Sequence, residues 1–254
     1  MSIDDHKSGI ALCFSRAASQ YDRYSSFQRT CGKKLCDLVG TIKGKWVLDA
    51  GCGTGCFSQF WKNQGNKVIS LDLAGAMLDI AQRRKAAKAY IIGDIEQLPL
   101  ATASVDVIYS NLAVQWCNNL PNALAEMYRV LRQDGILAFS TLAQGSLKEL
   151  AHIWKKVDNR IHINQFLPHN VIVKAIIPYR HRIVTELHIL HYEKITDLLR
   201  GIKGVGASYL HAGRNPGLTT RSHLQALETI WQNQSVDLRL MSYYVVYGVI
   251  YRDK

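Results

Sequence analysis

No run of eighteen apolar residues occurs in this 254-residue chain, so no membrane-spanning helix is predicted. The opening segment, Met1-Ser2-Ile3-Asp4-Asp5-His6-Lys7, is polar and lacks the apolar stretch of a signal peptide, which argues against secretion. Six cysteines, at positions 13, 31, 36, 52, 56 and 117, form no CxxC pair and have no histidines at zinc spacing. They read as reduced thiols of a cytoplasmic protein rather than a disulfide framework or a metal site. The remaining histidines, such as His181, His188 and His191, suggest no metal either. A Gly-Lys-Ser/Thr phosphate loop is also missing, which disfavours nucleoside triphosphate binding. No internal repeat or low-complexity tract stands out.

What is present suits one globular domain: 48% of the residues are hydrophobic, enough for a single substantial core. The net charge of +11 is unevenly spread. Residues 1–144 carry 16 Lys/Arg against 12 Asp/Glu, and residues 145–254 carry 15 against 8. The basic second part invites an anionic partner: nucleic acid, a phosphate-bearing cofactor or an acidic protein. A plain solvated basic surface accounts for it equally well.

The first forty residues predict helices: a short one over 14–22, then a second with Phe27, Cys31, Leu35, Leu38 and Val39 on one face. From Lys45 strands and helices alternate, which predicts a parallel sheet with right-handed crossovers. Strands are expected at 46–50, 67–72, 89–93, 105–110 and 136–142, and helices at 55–64, 75–84 and 119–132. Gln133-Asp134-Gly135 reads as the turn that ends the last of these helices. Beyond residue 143 the rhythm breaks. Helices are expected near 146–157, 169–177, 195–202 and 220–232, and two extended segments, 182–192 and 238–251, as an antiparallel pair closing the sheet.

The segment Trp46-Val47-Leu48-Asp49-Ala50-Gly51-Cys52-Gly53-Thr54-Gly55 is an apolar strand running into a glycine turn with a helix behind it. Glycines at alternate positions let the backbone bend tightly and approach a ligand. Asp72 ends the next strand on the same rim, where ligands of open α/β sheets bind. Gly93-Asp94-Ile95-Glu96 follows the third strand and Ser110-Asn111-Leu112-Ala113 ends the fourth. Any one of these is a common turn or cap; four in order at the rim are a site.

With its VLDAGCGTG motif the chain resembles the class I S-adenosylmethionine-dependent methyltransferases. The resemblance implies a Rossmann-like α/β domain with a mostly parallel seven-stranded sheet, an antiparallel last strand, N-terminal helices and a helical insertion as lid. It also implies roles at the rim. Gly51, Gly53 and Gly55, with Cys52 as small filler, would meet the cofactor's amino-acid tail. Asp49 would position that loop or reach the ammonium, and Asp72 would hold the ribose diol, with Leu73 and Met77 against adenine. Asp94, Ile95 and Glu96 would complete the adenine site. Asn111 and Ala113 would lie near the methylsulfonium, and Asn111 and Tyr21 would position the reacting groups.

Further motifs resemble one branch, the biotin-pathway malonyl-[acyl-carrier protein] O-methyltransferases. They are Gly93 to Leu100, Ser110 to Cys117, Phe139 to Leu150, Arg160 to Leu167, Leu199 to Asn215-Pro216, and Phe14-Ser15-Arg16-Ala17-Ala18 with Tyr21. That resemblance implies methyl transfer from S-adenosyl-L-methionine to a malonyl carboxylate, with S-adenosyl-L-homocysteine as coproduct and no metal. It divides the chain into an N-terminal helical lid (1–43), a cofactor-binding core (44–143), a substrate region with the insertion (144–237) and a final edge strand (238–254). A carboxylate is ionised at neutral pH, so no acid or base residue is required, only positioning. Arg214 is the leading candidate to hold the carboxylate, with His211, Tyr21, Gln115 and Trp116 shaping the pocket. The implied partner is an acidic acyl carrier protein or a coenzyme A thioester. Candidate carrier contacts are Lys148, Lys155, Lys156, Arg180, Arg182, Arg200, Lys203 and Arg221. Two alternatives stay open: another small acid or quinone precursor as substrate, and a non-catalytic binding module on the same fold. Nucleic acid is not an expected substrate, because no Asn-Pro-Pro-aromatic run follows the fourth strand.

Overall fold

The structure, a computed structural model, describes residues 3–158, 160–210, 220–234 and 239–253. Three N-terminal helices, α1 (Ile3–Ala17), α2 (Tyr21–Tyr24) and α3 (Ser26–Val39), precede the first strand. The alternating part then runs β1 (Trp46–Ala50), α4 (Cys56–Asn63), β2 (Lys67–Asp72), α5 (Gly75–Arg83), β3 (Ala89–Ile92), β4 (Val105–Asn111), α6 (Leu120–Val130) and β5 (Leu131–Leu142). It continues with α7 (Lys148–Lys155), α8 (His169–Ile176), β6 (Arg180–His191), α9 (Ile195–Gly204), α10 (Arg221–Gln232) and β7 (Leu240–Tyr251).

All strands join one seven-stranded sheet in the order β3-β2-β1-β4-β5-β7-β6. The order reverses beside β1, between β2 and β4, and leaves a crevice at the carboxyl ends of the strands. β7 pairs antiparallel with both β5 and β6. The last strand is therefore not an edge, as its place in the chain suggested. Its near-continuous apolar run, buried from Val245 to Ile250, suits a strand with neighbours on both sides. β6 takes the edge instead, and its alternation of exposed and half-buried residues fits that position.

Two further differences from the sequence expectations have local causes. The first helix spans Ile3–Ala17 and begins eleven residues before the expected 14. Lys7, Ile10, Phe14 and Ala17, spaced three to four apart, turn one face onto the rim crevice and the cavity beside it, and that contact extends the helix. The helix expected over 119–132 stops at Val130, because Leu131 already pairs with Val105 in the β4–β5 ladder. Gln133-Asp134-Gly135 is then an irregularity inside β5, with Asp134 left-handed at φ 59° and the register shifted between Val105 and Val107.

Apolar side chains fill both faces of the sheet. One layer packs Trp61, Tyr109, Trp231 and Tyr247 under α3, α4, α7 and α10; the other packs Phe139, Leu124 and Met127 under α6 and α8. Trp231 anchors α10, with its indole N–H donating to the Tyr192 carbonyl at 3.1 Å. Truncating so large a buried ring costs about 3–5 kcal/mol. Trp231→Ala should lower the urea midpoint accordingly with an unchanged slope. A loss below about 1 kcal/mol would mean that this layer collapses around the gap instead of depending on the ring.

Candidate active site

The rim is built on the left-handed backbone of Gly51, Gly53 and Gly55, with φ of 79°, 53° and 83°. Gly51 and Cys52 donate their N–H groups to the Leu71 carbonyl at 2.8 and 3.0 Å, which stitches the loop to β2. A Cβ on Gly51 would fall 2.3 Å from the Ala113 methyl, so the loop and the end of β4 approach as only glycine allows. A Cβ on Gly53 would meet only the Tyr21 ring, at 3.8 Å.

Asp72 closes the loop from the second strand. One carboxylate oxygen accepts from Gly53 N–H and the other from Ala74 N–H, both at 2.8 Å. Burial raises its pKa above the ordinary carboxylate value, opposed by the backbone N–H groups of Ala74, Gly53 and Leu73. Beneath the loop, Asp49 accepts from the Ser58 hydroxyl at 2.6 Å, and Ser70 donates to Ser58 at 2.7 Å. Asp49 is 2% exposed. Burial raises it to about 7, against the Ser58 hydrogen bond and with help from the Asp72 charge.

A pocket at the carboxyl ends of β1, β2 and β4 gathers Tyr21, Gly51, Gly53, Asp72, Leu73, Asp94, Ile95, Asn111, Ala113 and Trp116. Five expected residues do not line it. Asp49 and Cys52 lie buried under the loop, Gly55 packs against Ala81 and Ala86, and Met77 fills space beneath the rim with Ala18 and Ala74. Glu96 turns away to accept from Asn118 and Asn119 N–H groups at 2.8 Å each. Asn111 is held from both ends: its amide donates to the Gln28 carbonyl at 2.9 Å, and its oxygen accepts from Ser140 at 2.8 Å. Tyr21 keeps its phenol proton, since burial and the charges of Asp72 and Asp22 push its ionisation upward.

Several contributors carry no signal in the sequence. Lys7 reaches over the rim from α1, its ammonium 3.0 Å from Asp94 and 2.5 Å from Glu96. Ile10 and Phe14 follow it along the same pocket. Asp22 accepts from Thr54 of the glycine loop at 2.6 Å and pairs with Arg84. These contacts join α1 and α2 to residues as far along the chain as Glu96, which no local pattern reports.

A second cavity of about 1080 Å³ adjoins the first, and Phe14, Tyr21, Leu112 and Trp116 line both. Phe14 and Trp116 meet edge to face at the junction, 5.3 Å between ring centroids. The Gln115 oxygen accepts from Leu142 N–H at 3.0 Å and Gln115 itself lines the larger cavity. His211 and Arg214 lie outside the described residues. Arg180 and Arg182, expected beside the carrier, stand at the opposite end of the sheet, where β6 pairs with Tyr251 and Val249.

A family described as a methyltransferase domain matches residues 48–139, the stretch from β1 to β5 that builds the rim. The rim is thus that of a methyltransferase domain. Its malonyl-[acyl-carrier protein] O-methyltransferase relative from Serratia marcescens is 48% identical over 98% of this chain and 97% of its own length. The relative of the same name from Yersinia pestis is 49% identical over 97% and 92%. The chain belongs to this family, the malonyl-[acyl-carrier protein] O-methyltransferases. Among solved structures, the YcgJ protein of Bacillus subtilis shares the fold with a TM-score of 0.62 at 15% identity, covering 89% of this chain and 99% of that one.

The buried Asp49 gives a pH signature. Its folded value of about 7 lies above the unfolded carboxylate value, so folding takes up a proton between these limits. Stability is therefore lost as pH rises through that window, by roughly 1.4 kcal/mol per pH unit. Asp49→Asn removes this loss. The melting temperature of the variant relative to the parent should climb from pH 4 to above pH 7 and then level off. A pH-independent difference would mean that Asp49 titrates like an exposed carboxylate.

Proposed function

We propose that the protein transfers a methyl group from S-adenosylmethionine to the free carboxylate of a malonyl thioester carried by an acyl carrier protein. The observation that carries this reading is the junction of two pockets at Phe14, Tyr21, Leu112 and Trp116 in a chain of this family. One pocket has the groups a nucleoside with an amino-acid tail needs, and the other has room and apolar walls for an acyl arm.

The rim residues fit the cofactor. Asp72 offers lone pairs beside Gly53 for a ribose diol, and Asp94 faces the same pocket as an acceptor for an exocyclic amine. Leu73 and Ile95 supply apolar walls for a base. Gly51 and Gly53 line the same pocket above the buried Asp49, which places the amino-acid tail against the glycine loop. When bound there, S-adenosylmethionine supplies an electrophilic methyl group on a sulfonium and leaves as S-adenosylhomocysteine.

The protein's own share is positioning and exclusion of water. Asn111, fixed between Gln28 and Ser140, and Tyr21, a neutral hydroxyl beside Gly53, set the geometry at the junction. A malonyl carboxylate has a pKa near ~4 and arrives ionised, so no side chain has to remove a proton. Opposite charges cancel as the ester forms, and an apolar junction favours that cancellation over the separated ions. Phe14, Leu112 and Trp116 make it apolar. Six free cysteines fit a reducing cytoplasmic setting.

Incubation with methyl-labelled S-adenosylmethionine and malonyl-acyl carrier protein should yield equal amounts of methyl ester and S-adenosylhomocysteine. Retained cofactor binding without ester from any malonyl thioester would overturn the assignment. Asp72→Asn keeps the shape of the rim but removes its charge, and should weaken cofactor binding by calorimetry about tenfold or more. Unchanged affinity would remove the ribose role.

A further inference from the structure

The larger cavity has an unusual distribution of charge. Its described lining carries Arg16, Arg160, Arg200 and Lys203 and not one aspartate or glutamate. Its inner wall is apolar and buried: Leu112, Leu142, Leu147, Leu150 and Trp154. The four cationic residues are all exposed, which places them where the cavity meets solvent. They come from three separate parts of the chain: α1, the segment after α7, and α9.

Two of these guanidinium groups, on Arg16 and Arg160, make no ion pair with a described residue. Arg200 is paired with Asp197 at 2.8 Å. Arg16 forms no ion pair with a described residue, and Arg160 makes no side-chain hydrogen bond to one. Asp158 lies near enough to feel the Arg160 charge, but its Oδ1 accepts from His162 at 2.8 Å and from the Arg160 backbone N–H at 3.0 Å, not from the guanidinium. The junction where methyl transfer takes place is different. Of its four shared residues none is charged, and Lys7, the cation of the adjoining pocket, is committed to Asp94 and Glu96.

Among the described residues, the cations therefore stand at the exposed part of the cavity lining and not at the junction shared by the two pockets. A substrate bearing one anionic group at its reacting end and a second at the far end of an apolar arm matches this pattern. Acyl thioesters on a phosphopantetheine arm have that form, with a phosphodiester at the far end. We propose that Arg16 and Arg160 form a phosphodiester-binding mouth that seats the arm, while the carboxylate reacts at the uncharged junction. Guanidinium forks suit phosphate oxygens, and the exposed position lets the phosphate bind without full loss of water. A cation at the mouth, unlike one at the junction, does not lower the nucleophilicity of the reacting carboxylate. This inference rests on the malonyl thioester reading.

The test compares three substrates: malonyl-acyl carrier protein, malonyl-coenzyme A, and the malonyl thioester of N-acetylcysteamine, which has no phosphate. The Arg16→Gln/Arg160→Gln double variant should lose about tenfold to a hundredfold in kcat/KM with both phosphate-bearing substrates, chiefly through KM. Its loss with the phosphate-free thioester should be at least tenfold smaller. Equal losses on all three substrates would instead make these arginines holders of the carboxylate and overturn the proposal, as would no loss on any. A loss confined to the carrier-protein substrate would assign them to the protein surface of the carrier, and also overturn it. Failure of the parent enzyme to methylate any of the three would refute the malonyl thioester reading itself. Circular dichroism of the double variant, with both positions exposed, should match the parent and exclude misfolding as the cause.

Discussion

The contact on which the rest of the site depends is the hydrogen bond from Gly53 N–H to Asp72. The five residues of β1 pair in parallel register with Lys67 to Leu71 of β2, so Ala50 and Leu71 arrive together at the rim with Asp72 just beyond. The glycine loop leaves β1 with left-handed backbone that L side chains rarely adopt, and the half-buried Asp72 carboxylate helps hold it there. The same carboxylate caps Ala74 and so starts the turn into α5. Strand, loop and helix thus share one anchor, and any ligand of the rim meets that anchor first.

Charge is distributed in layers around this anchor. Acidic groups lie under and beside the loop: Asp49 below, Asp72 at the end of β2 and Asp94 at the end of β3. Cations lie outside, with Lys7 reaching over the rim and arginines at the mouth of the larger cavity. Between the two lies an aromatic and aliphatic junction. A positively charged donor and a negatively charged acceptor are each drawn to their own side and meet where neither charge is solvated. Helix α1 takes part in all three zones through Lys7, Phe14 and Arg16, and the Tyr209 hydroxyl, 3.0 Å from His6, ties it to the segment after α9.

The parts of this arrangement that lie contiguously in the chain were legible from the residues alone. The strand from Trp46 to Ala50, the glycine turn and Asp72 declare themselves because strand pattern, turn chemistry and ligand chemistry fall within thirty residues of one another. The parallel core followed from the alternation of elements. Less legible was whatever depends on neighbours from elsewhere. Nothing local in Gln133-Asp134-Gly135 distinguishes a helix stop from a strand irregularity; pairing of Leu131 with Val105 decides it. The edge position went to β6 rather than β7 because two antiparallel pairings, not chain order, set the sheet. Lys7 looked like an ordinary polar residue of a terminal segment, and only the docking of α1 gives it a role. Glu96 has the right place in the motif, yet its carboxylate is taken by the backbone of Asn118 and Asn119.

Donor and acceptor, on this view, meet at an uncharged junction between two chemically different pockets. A crystal structure of the protein with S-adenosylhomocysteine and a non-hydrolysable malonyl thioester tests this most directly. The sulfur is expected in the rim pocket and the malonyl carboxylate between Tyr21 and Trp116, apart from Arg16 and Arg160. A carboxylate seated instead on Arg16 or Arg160, with the arm pointing outward, would contradict it.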